Sequence, residues 1–325
     1  MSFDIDLNGY DNIIVALSGG KDSVACLLFL LDQGVDPSRL ECWHHCIDGD
    51  PEQKQHFMDW KCTIPYIKAL CEHLQIPLFM SWRDGGFYEE LMKKDCPSKG
   101  VYFEDENHEL HYVPSKSKPA TRGLFPQQSG SLRTRWCSSS LKIEVMGFAL
   151  RHQERFLGKK TLVVTGERRQ ESPSRAKYDE FQDHTCNTQS RTVHHWRPVI
   201  DWSTEEVWEI IRQHGIIPHP AYWLGFGRTS CMKCVFLNNN DWAKVQKIDP
   251  QGFDAIAEVE KQAGKSIARN GKFLEERVQG ETVSIDTDWA ERAVSEEEWI
   301  MPIYFPVEHW TLPAGATGDL KSGSW

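Results

Sequence analysis

The stretch NIIVALSGGKDS, residues 12–23, decides the fold of this 325-residue chain. Residues 12–17 form an apolar run of strand length, two glycines follow, and an apolar helix-like segment continues to about Asp32. Three further short apolar runs alternate with helix-like segments and lie at residues 40–47, 77–82 and 162–165. Alternating strands and helices predict an α/β fold, an open and mostly parallel sheet with helices on both faces. Ligands then bind at the carboxyl ends of the strands.

The pattern weakens between residues 85 and 133, a stretch rich in Gly, Pro, Ser and Lys without periodicity. A loop this long inside a domain is typical of a functional insertion. We therefore predict an α/β domain over residues 1–215 with an insertion at about 85–133. Residues 216–325 form a C-terminal region that is irregular around a Cys-x-x-Cys, then helical, and packs on that domain.

Composition excludes several classes of protein. Apolar residues make up 40% and charged residues 26% of the chain, which is typical of a globular protein rather than a disordered one. The net charge of −10 disfavours a sequence-independent nucleic-acid coat. No apolar run reaches a membrane span, and the acidic residues 1–6 do not resemble a signal peptide, so a cytoplasmic protein without a membrane partner is predicted.

The hexapeptide SGGKDS, residues 18–23, has the chemistry of a phosphate-binding loop. Gly19 and Gly20 let the backbone approach a ligand, and the N–H groups at the start of the following helix point at an anion. Lys21 adds a charge, and the hydroxyls of Ser18 and Ser23 add donors. The carboxylate of Asp22 could hold a Mg²⁺ ion that bridges phosphate oxygens. The spacing differs from that of a Walker A loop.

This loop resembles the PP-loop of the ATP pyrophosphatases, and further motifs extend the resemblance over roughly residues 10–240. They are RWCSSSLK at 135–142, TGERRQES with Arg175 at 165–175, WRP at 196–198 and VW at 207–208. Together they look like the phosphoadenosine phosphosulfate (PAPS) reductase-like branch, which includes the DndC-type proteins of DNA phosphorothioation. The resemblance implies an adenine nucleotide alpha hydrolase-like fold, with ATP and Mg²⁺ bound and ATP cleaved to AMP and pyrophosphate.

The same resemblance assigns candidate site residues. Ser18, Gly19, Gly20, Lys21, Asp22, Ser23, His44 and Gly166 would bind the nucleotide, and Lys21, Asp22, Arg168 and Arg175 would act in catalysis. Arg168 and Arg175 can offer planar forks to phosphate oxygens, whereas a surface Arg/Glu network is the alternative. His44 or Asp48 could contact ribose or a metal, or face solvent. Arg191, His194, His195, Trp196 and Arg197 could accept an anionic substrate or close a sheet edge.

Three of the ten cysteines are candidate metal ligands. Cys231 and Cys234 form a Cys-x-x-Cys, which is compatible with a redox pair, half a zinc site or an iron–sulfur site. In PAPS reductase-like relatives a Cys at the position of Cys137 joins such a pair on a [4Fe–4S] cluster. Ser138 stands where APS reductases have a second Cys, so the fourth ligand is Cys186 or absent, and zinc or free thiols are the alternatives.

The hypothesis from sequence is an ATP pyrophosphatase that adenylates a substrate for sulfur transfer. A PAPS or APS reductase is one alternative, but the loop is intact and no Cys follows Cys234. A nucleotide-sensing subunit of a larger assembly that does not turn ATP over is the other. Besides ATP, the expected partners are an acceptor, either nucleic acid or a small molecule, and a sulfur-donor protein. Association into a homo-oligomer stays open.

Overall fold

A computed structural model describes residues 5–317 of the chain as an eight-stranded sheet with helices on both faces. The strands are β1 (Asn12–Ala16), β2 (Leu40–Cys46), β3 (Leu78–Arg83), β4 (Val101–Glu104), β5 (Leu110–Val113), β6 (Lys160–Val164), β7 (Phe181–Asp183) and β8 (Thr192–Trp196). Their order across the sheet is β5-β4-β3-β2-β1-β6-β8-β7. Most of the acidic N-terminal hexapeptide and the end of the predicted C-terminal region lie outside the described residues.

The five central strands, β3, β2, β1, β6 and β8, run parallel, which confirms the predicted fold class. Strand β1 lies in the middle, and Ile13, Ile14 and Val15 are buried on both of its faces. A central parallel strand needs such a continuous apolar run because helices cover both sides. Chain order reverses on either side of β1, so its carboxyl end is the expected position for a ligand site.

Both edges of the sheet are antiparallel. Strands β4 and β5 form a hairpin that pairs with β3, and β7 pairs with β8. The hairpin is built from the segment that has no periodicity in the sequence, so part of the predicted irregular insertion is regular structure. Residues 191–197, read as either a basic substrate surface or a sheet edge, include β8, which is one strand in from the edge.

Eleven α-helical segments lie within the described residues. They are α1 (Lys21–Asp32), α2 (Thr63–Leu74), α3 (Gly86–Met92), α4 (Trp136–Ser138), α5 (Glu144–Arg151), α6 (Thr204–Gln213), α7 (Pro220–Trp223), α8 (Asn239–Ile248), α9 (Pro250–Gln262), α10 (Leu274–Val278) and α11 (Thr287–Ala293). A π-helical turn, Ser139–Ile143, joins α4 to α5. Helix α2 begins at Thr63, with Pro65 in its first turn, where a missing N–H does no harm.

Two large apolar clusters hold the described residues together, besides a smaller one that packs α5 against the sheet. One packs α1, α2 and α6 against the sheet. The other joins the C-terminal helices to the rest of the chain, since Trp242 and Phe253 share it with Trp60, Phe87 and Trp136. The C-terminal helices therefore pack on side chains that precede β6 in the sequence. A domain boundary near residue 215 stays a prediction. No helix between residues 5 and 317 has the length and apolar character to cross a bilayer.

Candidate functional site

A cavity of about 600 Å³ opens at the carboxyl edge of the parallel strands. Ser18 lines it after β1, His44 and His45 from β2, Thr165 after β6 and His195 from β8. Residues from the Arg-Trp-Cys segment and the Cys-x-x-Cys segment close the opposite wall. The topology thus brings four strand ends and both cysteine-bearing segments to one space.

The phosphate loop turns sharply at Gly19, whose φ of 75° lies in the left-handed region that favours glycine. Gly20 is the N-cap of α1. The Ser23 hydroxyl donates to the Gly20 carbonyl at 2.9 Å and accepts the Ser18 N–H at 3.2 Å. Ser23 therefore braces the loop from inside, and Ser18 is the member of the hexapeptide that lines the cavity.

Lys21, Asp22 and Arg168 form a buried ion triad behind the loop. The Lys21 ammonium lies 3.0 Å from one Asp22 oxygen, and the Arg168 Nε donates to the other at 2.6 Å. Burial alone would raise the pKa of Asp22, but the two cations outweigh it and the pKa is lowered. Each carboxylate oxygen of Asp22 therefore has one partner, and the Mg²⁺ role that the sequence suggests for Asp22 stays a prediction.

Arg168 lies outside the cavity, which corrects its predicted place beside the leaving pyrophosphate. Its side chain is 0% exposed, and its other N–H groups donate to Gln170, Thr204 and the Trp202 carbonyl. A buried guanidinium with four of its five N–H groups bonded within the protein positions its neighbours rather than a ligand. Arg168 thus fixes Asp22 and Lys21 at the start of α1.

Gly166, predicted to bind the nucleotide, also supports the loop from outside the cavity. A Cβ at this position would lie 2.5 Å from the Asp22 backbone carbon and 2.7 Å from the Ser23 nitrogen. Only glycine lets the end of β6 approach the first turn of α1 so closely. Gly166 and Arg168 therefore shape the phosphate loop, although the sequence predicts that both contact the ligand.

His44 presents an unpartnered acceptor to the cavity. Its Nδ1–H donates to the Leu17 carbonyl at 2.8 Å, which leaves Nε2 with a lone pair, and that atom is buried without a partner. The imidazole is 5% exposed, and burial lowers its pKa to about 4. A neutral ring in this tautomer accepts a hydrogen bond from a ligand's O–H or N–H, which would repay the unmade bond.

Asp48, the alternative to His44 in the sequence, serves the chain instead. Its carboxylate accepts the backbone N–H of Met58 at 2.9 Å and of Asp59 at 2.8 Å. Burial, and then the charge of Asp59, raise the pKa of Asp48 to about 7. Asp48 shapes the turn at residues 58–59 and does not line the cavity, whereas Asp59 does.

The walls of the cavity are strongly cationic. Five basic side chains face two carboxylates, Asp59 and Glu167, and these five are Arg135, Lys142, Arg175, Arg197 and Arg228. The buried Arg135 Nε has no hydrogen-bond partner, nor has the Thr229 hydroxyl on the same wall. An excess of positive charge with unmet donors is the complement of an anionic ligand.

Four side chains at the ends of β6 and β8 form a closed network on one wall. The Thr165 hydroxyl donates to Glu167 at 2.7 Å and accepts the His195 Nε2–H at 2.7 Å. Arg197 donates to Glu167 at 2.6 Å and to the His195 Nδ1 at 3.1 Å. Of the basic and aromatic set in the sequence, His195 and Arg197 therefore reach the cavity. His194 bonds Tyr10, and Arg191 bonds the Arg151 carbonyl.

Cys137, Cys231 and Cys234 line the cavity together, as the sequence motifs suggest. Burial, and then the neighbouring Cys234, raise the pKa of Cys137 to about 11. Burial, and then Asp59, raise that of Cys231. Within residues 5–317 the only set of metal-type ligand atoms all within 4.8 Å of one another is Asp105, Glu109 and His111, so at least one pair of the three sulfurs is more than 4.8 Å apart.

Cys186 is not a fourth ligand of this group. It is 1% exposed in a separate apolar cluster, where Arg151 donates to its sulfur at 3.2 Å. The Asp105 group lies at the turn of the exposed β4–β5 hairpin, and its members hydrogen-bond to one another. Neither feature extends the cysteine set.

The profile described as Phosphoadenosine phosphosulfate reductase domain matches residues 12–236, from β1 through the Cys-x-x-Cys. The chain belongs to the PAPS reductase domain family. The match covers the phosphate loop, both cysteine-bearing segments and every wall of the cavity. The predicted family is thereby confirmed at this level.

Two curated relatives of this PAPS reductase domain protein carry uncharacterised names. A 37.8 kDa protein of Escherichia phage 186 is 30% identical over a region that covers 43% of this chain and 40% of the phage protein's length. A protein of Methanocaldococcus jannaschii is 26% identical over 78% of this chain and 48% of its own. The chain thus spans less than half of the curated relatives it matches.

Two solved structures resemble the PAPS reductase domain protein at low identity. FMN adenylyltransferase of Candida glabrata with FAD and pyrophosphate is 13% identical, with a TM-score of 0.43 over 96% of this chain and 81% of its own. PAPS reductase of Candida auris with phosphate is 12% identical, with a TM-score of 0.36 over 66% of this chain and 77% of its own.

Sequence reasoning missed three cavity residues, Arg228, Thr229 and Asp59. The first two immediately precede the Cys-x-x-Cys, so their position beside a predicted ligand pair was a usable signal. Asp59 carries no local signal, because its place depends on the turn that Asp48 shapes. Membership of the PAPS reductase domain family likewise does not predict that Lys21 and Asp22 are absent from the lining of the cavity.

Proposed function

We propose that the protein is an ATP pyrophosphatase of the PP-loop type that adenylates an acceptor for sulfur transfer, and that it belongs to the DndC-type branch. One observation carries the proposal. Ser18 of the phosphate loop, the free His44 lone pair, Arg175 and three cysteines all open to the same cationic cavity. That arrangement supports a nucleotide at the strand ends with a sulfur-handling wall opposite.

In the proposed reaction an acceptor oxygen attacks the α-phosphorus of ATP, the bond to the bridging oxygen breaks, and pyrophosphate leaves with the electron pair. The loop at Ser18 holds the departing phosphates with Mg²⁺, which the phosphate oxygens themselves ligate. Arg175 offsets the charge that develops on them. Its own partner is Glu171, which orients the guanidinium. Sulfur then displaces AMP from the activated acceptor.

His44 would accept a hydrogen bond from a ribose hydroxyl, because its Nε2 atom can only accept. Lys21, Asp22 and Arg168 hold the loop rather than the ligand. The acceptor is an anionic nucleic acid or small molecule, in keeping with the basic wall, and a sulfur-donor protein would supply the sulfur. We place the reaction in the cytoplasm, where the cysteines, which form no disulfide, stay reduced.

The donor set fits a [4Fe–4S] cluster better than zinc. In a tetrahedral zinc site, Zn–S bonds of about 2.3 Å bring the sulfurs to roughly 3.8 Å from one another. At least one pair of the sulfurs of Cys137, Cys231 and Cys234 is more than 4.8 Å apart, a separation that suits ligands of different irons in one cluster. Such a cluster would supply sulfur chemistry at an iron without a protein ligand.

The cluster is tested by anaerobic purification with iron, acid-labile sulfide and zinc analysis. The proposal expects about four irons and four sulfides per chain. Cys137→Ser should lose them, while Cys96→Ser, a matched change in the insertion, should keep them. Stoichiometric zinc, or full iron content in Cys137→Ser, would contradict the cluster.

The reaction is tested by incubating α-labelled ATP with excess protein, Mg²⁺ and, separately, DNA, RNA or a small-molecule extract. AMP and pyrophosphate are expected. Arg175→Gln should slow AMP formation about 100-fold, as loss of a transition-state donor does. Arg212→Gln is the matched control, because Arg212 pairs with Glu209 on the surface of α6 and does not line the cavity, and should stay within about twofold. ADP and phosphate as sole products would eliminate the proposal.

A sulfonucleotide reductase is the second candidate, and the family match favours it. Against it, residues 235–325 contain no Cys for the thiol step. This candidate expects sulfite from PAPS or APS with a thiol donor and no requirement for ATP. Sulfite release without ATP would replace the first proposal with the second.

A further inference from the structure

We propose that Tyr222 is a positioning residue that fixes the cysteine-bearing segment against the phosphate loop. Its effect on turnover rests on the proposed function, whereas the contact itself does not. One hydroxyl oxygen would thus connect the phosphate loop with the cysteine-bearing segment of the candidate site.

The hydroxyl of Tyr222 accepts two backbone N–H groups from distant parts of the chain. It lies 2.9 Å from the nitrogen of Lys21 and 3.4 Å from the nitrogen of Thr229. Lys21 is the first residue of α1, where an N–H has no partner within its own helix. The Tyr222 ring is 1% exposed and packs edge-on against Trp208, so the oxygen is held in place.

Both bonded amides belong to functional segments. Thr229 lies two residues before Cys231, and Arg228, Thr229 and Ser230 all line the cavity. On the other side, Gly20 approaches the same segment closely. A Cβ on Gly20 would lie 3.5 Å from the Thr229 carbonyl oxygen and 3.6 Å from the Tyr222 hydroxyl. The phosphate loop and the wall that carries Cys231 therefore meet at Tyr222.

Removal of the hydroxyl takes the acceptor from the buried N–H of Lys21 and from the partly buried N–H of Thr229, while the ring keeps its packing. The segment at residues 226–231 then gains mobility relative to α1. A nucleotide bound at the loop and the groups on the opposite wall need a constant separation for reaction, and small misplacements slow chemistry more than binding. The role is distinct from ligand contact, because Tyr222 does not line the cavity.

Hydrogen exchange tests the contact without any assumption about chemistry. In Tyr222→Phe, peptides that contain Lys21 and Thr229 should exchange about tenfold faster, the effect of one lost buried hydrogen bond. Tyr66→Phe is the matched control, since Tyr66 is also fully buried and its hydroxyl donates to the Ile217 carbonyl at 2.9 Å. Unchanged exchange in Tyr222→Phe, or equal acceleration in both variants, would overturn the proposal.

The same variants separate positioning from binding. Tyr222→Phe should form AMP about tenfold more slowly at saturating ATP, with an ATP Kd within about threefold of the parent. Tyr66→Phe should match the parent in both. A weakened Kd with unchanged turnover would assign Tyr222 to ATP binding and contradict a positioning role. If the parent forms no AMP, the proposed function fails while hydrogen exchange still decides the role of Tyr222.

Discussion

At the scale of single residues, two charged side chains of the predicted phosphate loop, Lys21 and Asp22, do not line the cavity. They belong instead to the ion triad with Arg168. A carboxylate taken out of water is stable only with partners, and here each oxygen has one. Lys21 and Arg168 meet Asp22 from opposite sides, so the first turn of α1 is locked before any ligand arrives. Preorganisation of this kind lowers the cost of binding.

Arg168→Gln should therefore behave as a stability variant. Removal of one partner of a buried charge pair costs about 3 kcal/mol, and Lys21 alone then has to hold Asp22. Arg169→Gln, the adjacent change, should cost under about 0.5 kcal/mol because its pair with Asp201 is largely exposed. Urea unfolding of both proteins measures the difference, and equal losses would remove Arg168 from its assigned role.

The residue scale also shows what the sequence could predict. SGGKDS was readable because its turn, glycines and helix start are all local. The partner of Asp22 was not, because Arg168 is 146 positions away and reaches it only after β6 lies beside β1. Asp48 was equally ambiguous, since a strand-end carboxylate can face a ligand or, as here, cap the backbone of its own chain.

At the scale of elements, α6 supports the site through its N-terminus. The Ser203 hydroxyl accepts the Glu206 N–H at 3.1 Å, and the Glu206 carboxylate accepts the Ser203 N–H at 2.7 Å. These two hydrogen bonds form a capping box. The next residue, Thr204, and the preceding Trp202 carbonyl both accept from Arg168. The start of α6 therefore anchors the guanidinium that anchors Asp22.

Ser203→Ala should lower the free energy of unfolding by about 1 kcal/mol, the usual effect of a lost N-cap. Asn238→Ala removes the N-cap of α8, because the Asn238 side chain accepts the Asp241 N–H. This change should lower the free energy of unfolding by a similar amount. Because only the first cap adjoins Arg168, hydrogen exchange in the peptide with Asp22 should rise in Ser203→Ala alone. An identical exchange pattern in both variants would contradict the link.

The elements that the sequence predicted are those whose burial is uniform. Strands β1, β2, β3 and β6 are largely buried along their length, and their parallel order follows from the intervening helices. The hairpin of β4 and β5 escaped notice because Leu110, His111 and Tyr112 are exposed at the sheet edge and show no apolar alternation. Strand β8 carries two histidines and an arginine-flanked end, so its composition indicated a surface rather than a strand.

At the scale of the whole molecule, buried imidazoles govern the response to acid. Burial lowers the pKa of His44, His184 and His195 to about 4 and of His45 and His219 to about 3. Between about pH 4 and 6.5 the unfolded chain binds protons that the folded chain does not. Stability contributed by these groups is present above pH 6.5 and falls as the pH drops below it. Asp48, Asp59, Asp241 and Glu260, whose pKa values burial raises, act in the opposite sense.

His219 isolates this effect, because its ring is 0% exposed and burial is the cause that lowers its pKa. Its Nδ1 accepts the Ala221 N–H, so protonation would break the cap of α7, the helix that carries Tyr222. In the parent, each such histidine should lower the free energy of unfolding by at most about 1.4 kcal/mol per pH unit as the pH falls from 6.5 to 5. His219→Gln should reduce that slope in urea titrations at several pH values, although it lowers stability at neutral pH. His309→Gln, an exposed control, should leave the slope unchanged. A slope that is the same in His219→Gln as in the parent would show that this ring is not buried neutral in solution.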